Sequence, residues 1–367
     1  MTYSVYQHWD PLKVCIVGKS YPPELYDYIE NPKVRNVFYQ IAEETEEDYQ
    51  KLISILEKFN VKVHRPDIAS EIDRARWCIN HSLEITGPGF MQPRDTTLML
   101  GSTFFCPSDS VALDHIKQDI VTNGSTIENI YGLVLGEVQS HIGTNEVARI
   151  AMNGAMTTRL GKDLYIGTPG SFDFMPAALN KMKSFNPVDH YQEILSTKLS
   201  EYRVKVVDTQ GHTDGTFCPV VPGLIVSILN EVNYKETFPG WEVIYLPNES
   251  WIKMQAFGAL KKKNKGKWWV PGQELNDDFT YFVETWMKKW VGYVEESVFD
   301  VNMLVIDRNN VIVNGYNEKV FDAFSRYGIT PHICNFRHRY FWDGGLHCIT
   351  SDIHREGHMQ DYFPERN

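Results

Sequence analysis

Apolar residues along the chain recur in a repeated unit, in which a helical stretch runs into a short apolar strand. The unit occurs four times, and its strands end at Asp67, Thr209, Pro247 and Phe336. Short strand-like runs precede the helices, at 14–17, 98–100, 164–166, 224–226, 303–306 and 311–313. Because these runs begin roughly 60 to 85 residues apart, the pattern predicts an α/β fold of repeated strand–helix–strand units.

One helix has a clear apolar face. Apolar residues in the segment 45–59 lie at positions i, i+3, i+4 and i+7: Tyr49, Leu52, Ile53 and Leu56. Acidic residues crowd the segment 43–48, and negative side chains in a first turn suit the positive end of the helix dipole. The pattern therefore predicts a helix over 45–59 that starts beside the acidic residues and covers one face of a sheet.

Length and charge narrow the function classes. The chain has 367 residues with 36 basic and 47 acidic side chains, a formal net charge of −11. A phosphate backbone or an anionic membrane is held mainly by concentrated positive charge, so this balance argues against a nucleic-acid or membrane binder. The charge favours a small charged substrate or a protein partner. The lysine-rich tract 261–267 is interpreted as a solvated loop, and a single domain over 1–367 is predicted.

Cysteine usage and the first residues bear on location. The cysteines are scattered without a CxxC pair, which predicts that most are reduced and buried: Cys15, Cys78, Cys106, Cys218, Cys334 and Cys348. The first residues carry no signal-peptide pattern, and no apolar run reaches the roughly 18 residues of a membrane helix. We therefore expect a cytoplasmic protein without a membrane span.

Three segments concentrate reactive side chains beside glycine and proline: 92–95 (QPRD), 211–217 (GHTDGTF) and 342–350 (WDGGLHCIT). They supply the cysteine, histidines and carboxylates that a thiol nucleophile with an acid/base partner needs, once the fold brings the segments together. Each residue alone also has a plainer interpretation. Cys348 could be a core residue and His212 a structural histidine. Asp95 could pair with Arg94 or cap a turn, and Asp214 could be a turn residue.

The histidine-rich tail raises the question of a metal. Histidines and cysteines crowd the segment 332–358: His332, Cys334, His338, His347, Cys348, His354 and His358. Imidazole and thiolate are preferred zinc ligands, but the spacings do not match a compact zinc finger. We therefore predict no metal site.

The motifs together resemble those of the glycine amidinotransferase family. The resemblance rests on PRD followed by an apolar strand, HxDGTF followed by PGL, and FWDGGLHCIT followed by an Arg-Glu-Gly turn, and it extends from about Leu12 to Gly357. It implies the pentein fold of the guanidino-group-modifying enzymes, a five-bladed α/β propeller of pseudo-fivefold repeats. The implied activity is transfer of an amidino group from a guanidino donor such as arginine to an amine such as glycine.

The resemblance also implies roles for individual residues. Cys348 would attack the guanidinium carbon, and Asp95 and Asp214 would hold its N–H groups in charge-assisted hydrogen bonds. His212 would protonate the departing amine and deprotonate the incoming one. The result would be ping-pong transfer through an amidino-cysteine. The implied partners are a small guanidino donor and an amine acceptor, without cofactor, nucleic acid or membrane, and a homodimer is compatible with them.

The chain departs from the family where a catalytic acid is expected. The matching stretch reads MNGAMTTRLGKDL, and counting back from its Gly-Lys-Asp puts Asn153 at the position of the acid. An asparagine keeps a hydrogen bond but supplies no negative charge, so His212 should be less basic. Either the site is slower, or Glu146 or Asp163 substitutes, or the protein runs another reaction or none.

A second departure concerns the substrate. Where the family has an arginine suited to a carboxylate and a pair of serines, the chain has 229–232 (LNEV) and Glu295-Glu296. Glutamates there would repel an α-carboxylate and favour amines, so we expect donor or acceptor to be handled differently from arginine:glycine transfer.

Two alternative functions stay open. One is a hydrolase or deiminase of the same fold, and the other is a catalytically silent pentein that binds a ligand or partner.

Overall fold

A computed structural model describes most of the chain. The described residues are 2–81, 90–130, 134–139, 147–167, 187–207, 209, 212–228, 234–246, 270, 272–273, 275–286, 298–342 and 344–366. Several segments named in the sequence analysis lie outside them: Glu146, 210–211, 229–232, 261–267, Glu295-Glu296 and Asp343.

Strands and helices alternate along the described residues. The strands are β1 (Leu12–Val17), β2 (Lys62–His64), β3 (Leu98–Leu100), β4 (Thr103–Cys106), β5 (Thr126–Asn129), β6 (Val134–Gln139), β7 (Val147–Ala151), β8 (Thr157–Leu160), β9 (Asp163–Gly167), β10 (Arg203–Val207), β11 (Phe217–Val221), β12 (Leu224–Ser227), β13 (Glu242–Tyr245), β14 (Leu304–Asp307), β15 (Asn310–Val313), β16 (Thr330–Ile333) and β17 (Thr350–Arg355). The helices are α1 (Pro32–Lys58), α2 (Ala69–Asn80), α3 (Asp114–Thr122), α4 (Pro187–Lys198), α5 (Tyr234–Thr237), α6 (Asp277–Trp286), α7 (Val298–Val301), α8 (Glu318–Tyr327) and α9 (Arg339–Trp342).

The strands of the described residues form five three-stranded sheets with one shared pattern. Their orders are β17-β1-β2, β3-β4-β5, β8-β9-β10, β11-β12-β13 and β14-β15-β16, and a further sheet pairs β6 with β7. In each three-stranded sheet the middle strand pairs antiparallel with one neighbour and parallel with the other. A helix connects the two parallel strands, as a parallel crossover requires. The last strand, β17, completes the first sheet by pairing with β1.

These sheets confirm the α/β class and the repeated strand–helix–strand units. The predicted runs at 14–17, 98–100, 164–166, 224–226 and 311–313 lie inside the middle or first strands of the sheets. No sheet of the described residues closes on itself, so the five-bladed propeller stays a prediction. Among the same residues, no helix is both long and apolar enough to cross a membrane.

The helix predicted over 45–59 is longer than expected. It begins at Pro32, and the side chain of Asn31 caps it by accepting a backbone N–H bond at 3.0 Å. Its buried face continues towards the N-terminus through Phe38 and Ile41. The prediction of a helix start beside the acidic residues is wrong, because the apolar period and the Asn-Pro cap extend the helix past them.

The acidic residues in the middle of α1 bind basic side chains. Arg337 donates to Asp48 Oδ1 at 2.9 Å and to Glu47 Oε2 at 2.7 Å. Arg65 donates to both oxygens of Glu46, at 3.0 and 2.9 Å. The acidic run therefore ties α1 to β2 and to the segment between β16 and α9.

Buried apolar side chains of the described residues form three clusters. The largest joins α1 to β1, β4 and α3, a second lies between β11, β12, β14, β15 and α8, and a third joins β3 to β9 and β10. Five of the six cysteines are buried and Cys78 is half-buried, which confirms that most cysteines are core residues.

A buried ion cluster of Asp352, Arg94, Arg159 and Arg355 connects several sheets. Each of the four side chains is 1% exposed. Asp352 accepts hydrogen bonds from Arg94 at 2.9 Å, from Arg159 at 2.7 Å and from Arg355 at 2.7 Å. Other N–H groups of the arginines donate to the backbone oxygens of Met99, Val305 and Thr350. The cluster therefore fixes β17 against β3, β8 and β14.

Replacing the one carboxylate of this cluster should destabilise the fold. We expect Asp352→Asn to lower the free energy of unfolding by about 3–5 kcal/mol, because three buried arginines lose their counter-charge. Denaturant titration measures the change. The matched control, Asp73→Asn, removes an exposed partner of Arg76 and should change stability by less than about 1 kcal/mol. Equal effects of the two substitutions would contradict the role of the cluster.

Candidate active site

The nucleophile candidate, Cys348, lies in a tight turn immediately before β17. The two glycines that precede it leave no room for side chains. A Cβ at Gly345 would lie 2.6 Å from Asn302 Oδ1, and a Cβ at Gly344 would lie 2.5 Å from Gln92 Nε2. The Gly-Gly pair of the motif is thus required by close packing around the cysteine turn.

Asn302, the residue after α7, organises this turn. Its amide oxygen accepts the backbone N–H groups of His347 at 2.8 Å and Cys348 at 3.2 Å. Its amide nitrogen donates to Cys348 Sγ at 3.0 Å and to the backbone oxygen of Asp214 at 3.1 Å. Sequence analysis missed Asn302, because no local motif marks it and its role arises only when α7 packs against the cysteine turn.

The 3₁₀ turn Thr213–Gly215 brings Asp214 against the thiol. Asp214 Oδ2 lies 2.9 Å from His347 Nδ1 and accepts the Cys348 S–H at 3.4 Å. Asp214 Oδ1 is buried and has no hydrogen-bond partner among the described residues. Burial raises the pKa of Asp214 to about 6, and the nearby charge of Asp95 adds to the rise.

Asp95 faces the same group from the turn Pro93–Asp95. Its Oδ1 is buried without a hydrogen-bond partner in the described part of the chain, and burial raises its pKa. The neighbouring Arg94 binds Asp352 instead, so the alternative in which Asp95 merely pairs with Arg94 is wrong. The charge of Asp95 also raises the pKa of both Asp214 and Cys348, so these groups share one electrostatic site.

His212 lies on the solvent side of this group. Its Nδ1 is 3.8 Å from Asp95 Oδ1, with the His212 side chain 43% exposed and that of Asp95 29% exposed. Asp214, two residues further on, is buried. A histidine in this position can exchange protons with both a bound ligand and solvent, as acid/base chemistry requires.

Asn153 lies in the turn before β8. Its amide oxygen accepts the backbone N–H of Met156 at 3.0 Å, and its backbone oxygen accepts the Thr157 hydroxyl at 2.7 Å. This turn packs against the Asp95 segment, because a Cβ at Gly154 would lie 2.7 Å from the backbone oxygen of Thr97. The structure thus brings Asn153 to the edge of the site with its oxygen used by its own turn.

Asp163 does not supply the missing acid. Its Oδ2 accepts a hydrogen bond from Arg203 at 2.7 Å, and its Oδ1 accepts one from Arg366 at 3.1 Å. Oδ2 thus binds β10 and Oδ1 binds the C-terminal segment, so the hypothesis that Asp163 substitutes is wrong. The other substitute, Glu146, lies outside the described residues.

The electrostatics of the site keep the resting cysteine protonated. Burial, Asp214 and Asp95 raise the pKa of the Cys348 thiol well above its ordinary value. The donor bond from Asn302 acts in the opposite direction. A bound cation would oppose the two carboxylates and favour the thiolate, so nucleophile activation and cation binding are linked.

The described residues hold no group of three or more histidine, cysteine or acidic side chains that could bind a metal. The tail histidines contact separate partners: His332 contacts Asn310, His338 contacts Glu44, His347 contacts Asp214 and His354 contacts Ser4.

Comparison with known proteins gives one relative over nearly the whole chain and another over part of it. The chain is 25% identical to the mitochondrial glycine amidinotransferase of Gallus gallus, over 98% of this chain and 84% of that protein. It is 23% identical to the L-arginine:L-lysine amidinotransferase of Pseudomonas savastanoi pv. phaseolicola, over 44% of this chain and 37% of that protein. No family model matches the chain.

Solved structures show the same fold. SxtG, an amidinotransferase of the saxitoxin pathway from Microseira wollei, superposes with a TM-score of 0.64 at 19% identity, over 98% of this chain and 99% of that one. Inosamine-phosphate amidinotransferase StrB1 from Streptomyces griseus superposes with a TM-score of 0.60 at 18% identity and the same coverage. Both the full-length sequence similarity and the pentein fold confirm the resemblance, and the chain is a relative of the glycine amidinotransferases.

Proposed function

We propose that the protein is an amidinotransferase that moves an amidino group from a guanidino donor such as arginine to an amine acceptor through Cys348. The observation that carries the proposal is the pair of buried carboxylate oxygens, Asp95 Oδ1 and Asp214 Oδ1, which have no hydrogen-bond partner among the described residues. Buried acceptors without donors favour a ligand that brings N–H groups and positive charge. A guanidinium does both, and its planar donors suit paired carboxylates.

The reaction assigns one role to each site residue. Asp95 and Asp214 accept the donor's N–H groups and hold its central carbon against Cys348 Sγ. When the cation binds, the Cys348 thiol releases its proton to solvent. With His212 in its protonated form, the thiolate attacks that carbon and an S–C bond forms. His212 then protonates the departing amine as its C–N bond breaks, which leaves an amidino-cysteine. The acceptor amine attacks the same carbon, His212 takes its proton, and the S–C bond breaks to regenerate the thiolate.

The closed propeller belongs to the same proposal. The ion cluster around Asp352 contacts β3, β8, β14 and β17. A small cavity that includes Asp214 is lined by residues of β8 and β11 and by Met303 just before β14, which brings the fifth sheet to the same centre. Five sheets around one polar centre support a ring of five blades with the thiol near its axis.

A hydrolase that uses water in place of the amine is the second candidate. A histidine without its acid activates an amine and water alike less well, so Asn153 instead favours the third candidate, a catalytically silent protein that binds a ligand. Formation of citrulline or urea from arginine without an added amine would assign the protein to the hydrolase class. Absence of both adduct and product with every guanidino donor would leave a ligand-binding protein.

The covalent step can be tested by mass. Incubation with arginine labelled in its guanidino group, without an acceptor amine, should add the mass of one labelled amidino group to the intact protein, and peptide mapping should place it on Cys348. Cys348→Ala should show no adduct, whereas the control Cys78→Ala, at a half-buried cysteine of α2, should show it in full. An adduct that survives in Cys348→Ala would rule out this nucleophile. Agmatine in parallel tests whether a donor without the α-carboxylate is preferred.

The role of Asn153 can be tested by restoring a charge. Asn153→Asp should raise the transfer rate several-fold or more, because the resemblance assigns to this position the acid that raises the pKa of the histidine imidazole and improves proton transfer. The cap to Met156 is retained, since an aspartate oxygen also accepts the backbone N–H. The pH profile of the rate is the measurement. An unchanged or lower rate would mean that the site has adapted to asparagine.

Asn302 should support the thiolate. Asn302→Asp would turn an oxygen towards Cys348 Sγ in place of the N–H donor, so the pKa of the thiol should rise further. Alkylation of Cys348 by iodoacetamide at constant pH should then slow by about tenfold or more. The control Asn335→Asp adds the same charge at an exposed residue and should leave the rate unchanged. Equal alkylation rates in Asn302→Asp and wild type would refute the role.

A further inference from the structure

We propose that His347 is the positioning residue of Asp214: its ring holds one carboxylate oxygen, so that the other faces the donor's N–H groups. The inference rests on the proposed function, because it assigns Asp214 to the guanidinium. His347 immediately precedes the nucleophile, but its ring acts on the carboxylate that binds the substrate. It is therefore distinct from His212, the acid/base residue of the reaction.

The geometry separates the two oxygens of Asp214. Oδ2 has two partners, His347 Nδ1 at 2.9 Å and Cys348 Sγ at 3.4 Å. Oδ1 has none among the described residues and is buried. A carboxylate fixed at one oxygen cannot rotate freely, so the second oxygen keeps a defined direction and stays available for a ligand.

The surroundings of His347 keep its ring neutral. Burial lowers the pKa of His347 well below its ordinary value, and the positive charges of Arg94 and Arg159 act in the same direction. His8 also lowers this pKa, whereas Asp352 raises it. The carboxylate of Asp214 faces the ring at 2.9 Å. A neutral imidazole next to a carboxylate carries its hydrogen on the nitrogen that faces it. His347 therefore donates a hydrogen bond without cancelling the negative charge that a guanidinium needs.

The backbone of His347 is held on both sides. Its N–H donates to Asn302 Oδ1 at 2.8 Å, and its carbonyl accepts the Arg94 Nε–H at 2.8 Å. The ring lies beside that of His8, with centroids 5.7 Å apart. These contacts fix the ring position, so its bond to Asp214 is built into the fold before any ligand arrives.

The hydrogen bond from His347 also affects the pKa of Asp214. Burial raises its pKa to about 6. The groups around Asp214 are His347, Cys348, His212, Asp95 and Arg94. A donor bond to the ionised form lowers a carboxyl pKa, so removing the His347 bond should raise it further. Asp214 would then ionise only at higher pH, and the acid limb of the pH profile for donor binding would shift to higher pH.

Two variants test the inference. His347→Phe removes the donor at similar size, and His347→Asn places an amide N–H close to the position of Nδ1. His347→Phe should raise KM for arginine at neutral pH by at least about tenfold, with a smaller change in kcat. It should also move the Asp214 titration up by about one pH unit. His347→Asn should restore most of both values.

The titration is read without substrate, by ¹³C NMR of carboxyl-labelled aspartate, with Asp214→Asn to assign the resonance. The control is His338→Phe, which removes another buried histidine bound to a carboxylate, that of Glu44. It should leave both the Asp214 titration and KM unchanged. If His347→Phe does not fold, His347→Gln replaces it, because its longer side chain carries the amide past the Nδ1 position.

An unchanged Asp214 titration in His347→Phe, or equal behaviour of the Phe and Asn variants, would overturn the inference. The proposed function fails separately, if the wild-type protein neither binds nor transfers from any guanidino donor. Because the titration needs no donor, the two failures are distinguishable.

Discussion

One buried carboxylate, Asp352, neutralises part of the charge on three buried arginines, and the active-site segments are arranged by those contacts. Arg94 directly precedes Asp95 in sequence, Arg159 follows the Asn153 turn, and Asp352 lies four residues after the nucleophile. Ionised groups this deeply buried are tolerated only when paired and hydrogen-bonded, so the four side chains allow little freedom of placement. The cluster therefore fixes the positions of the segments that carry the site residues.

Charge is divided between two layers. The buried cluster contains three guanidinium groups against the Asp352 carboxylate, whereas the negative charges of Asp95 and Asp214 act on the thiol. Arg94 acts across this boundary, because it lowers the pKa of both site carboxylates and of His347. The cationic layer thus keeps the acids ionisable and the imidazole neutral, and a cationic ligand would balance the anionic layer.

The sequence alone was sufficient for the repeated units, and its motifs mark residues that the fold brings close together. Strand positions follow from short apolar runs, and Cys348, Asp95 and Asp214 stand in glycine- and proline-rich turns whose residue types are unusual together. Asn302 and Asp352 could not be found in this way. Asp352 contacts Arg94 across 258 positions of sequence, and such a contact leaves no local pattern. The predicted start of α1 was wrong, because the acidic residues indicated a first turn although the apolar period continues on their N-terminal side.

The absence of an acid at Asn153 affects one step of the proposed reaction more than the others. In the resting structure the carboxylate near His212 is Asp95, at 3.8 Å. The same carboxylate is assigned to the donor guanidinium, so a bound donor competes with His212 for it. Formation of the S–C bond needs only the thiolate and the bound guanidinium, so the missing acid has little effect on this step. Protonation of the departing amine depends on the basicity of His212. This is therefore the step that the missing carboxylate at position 153 slows most.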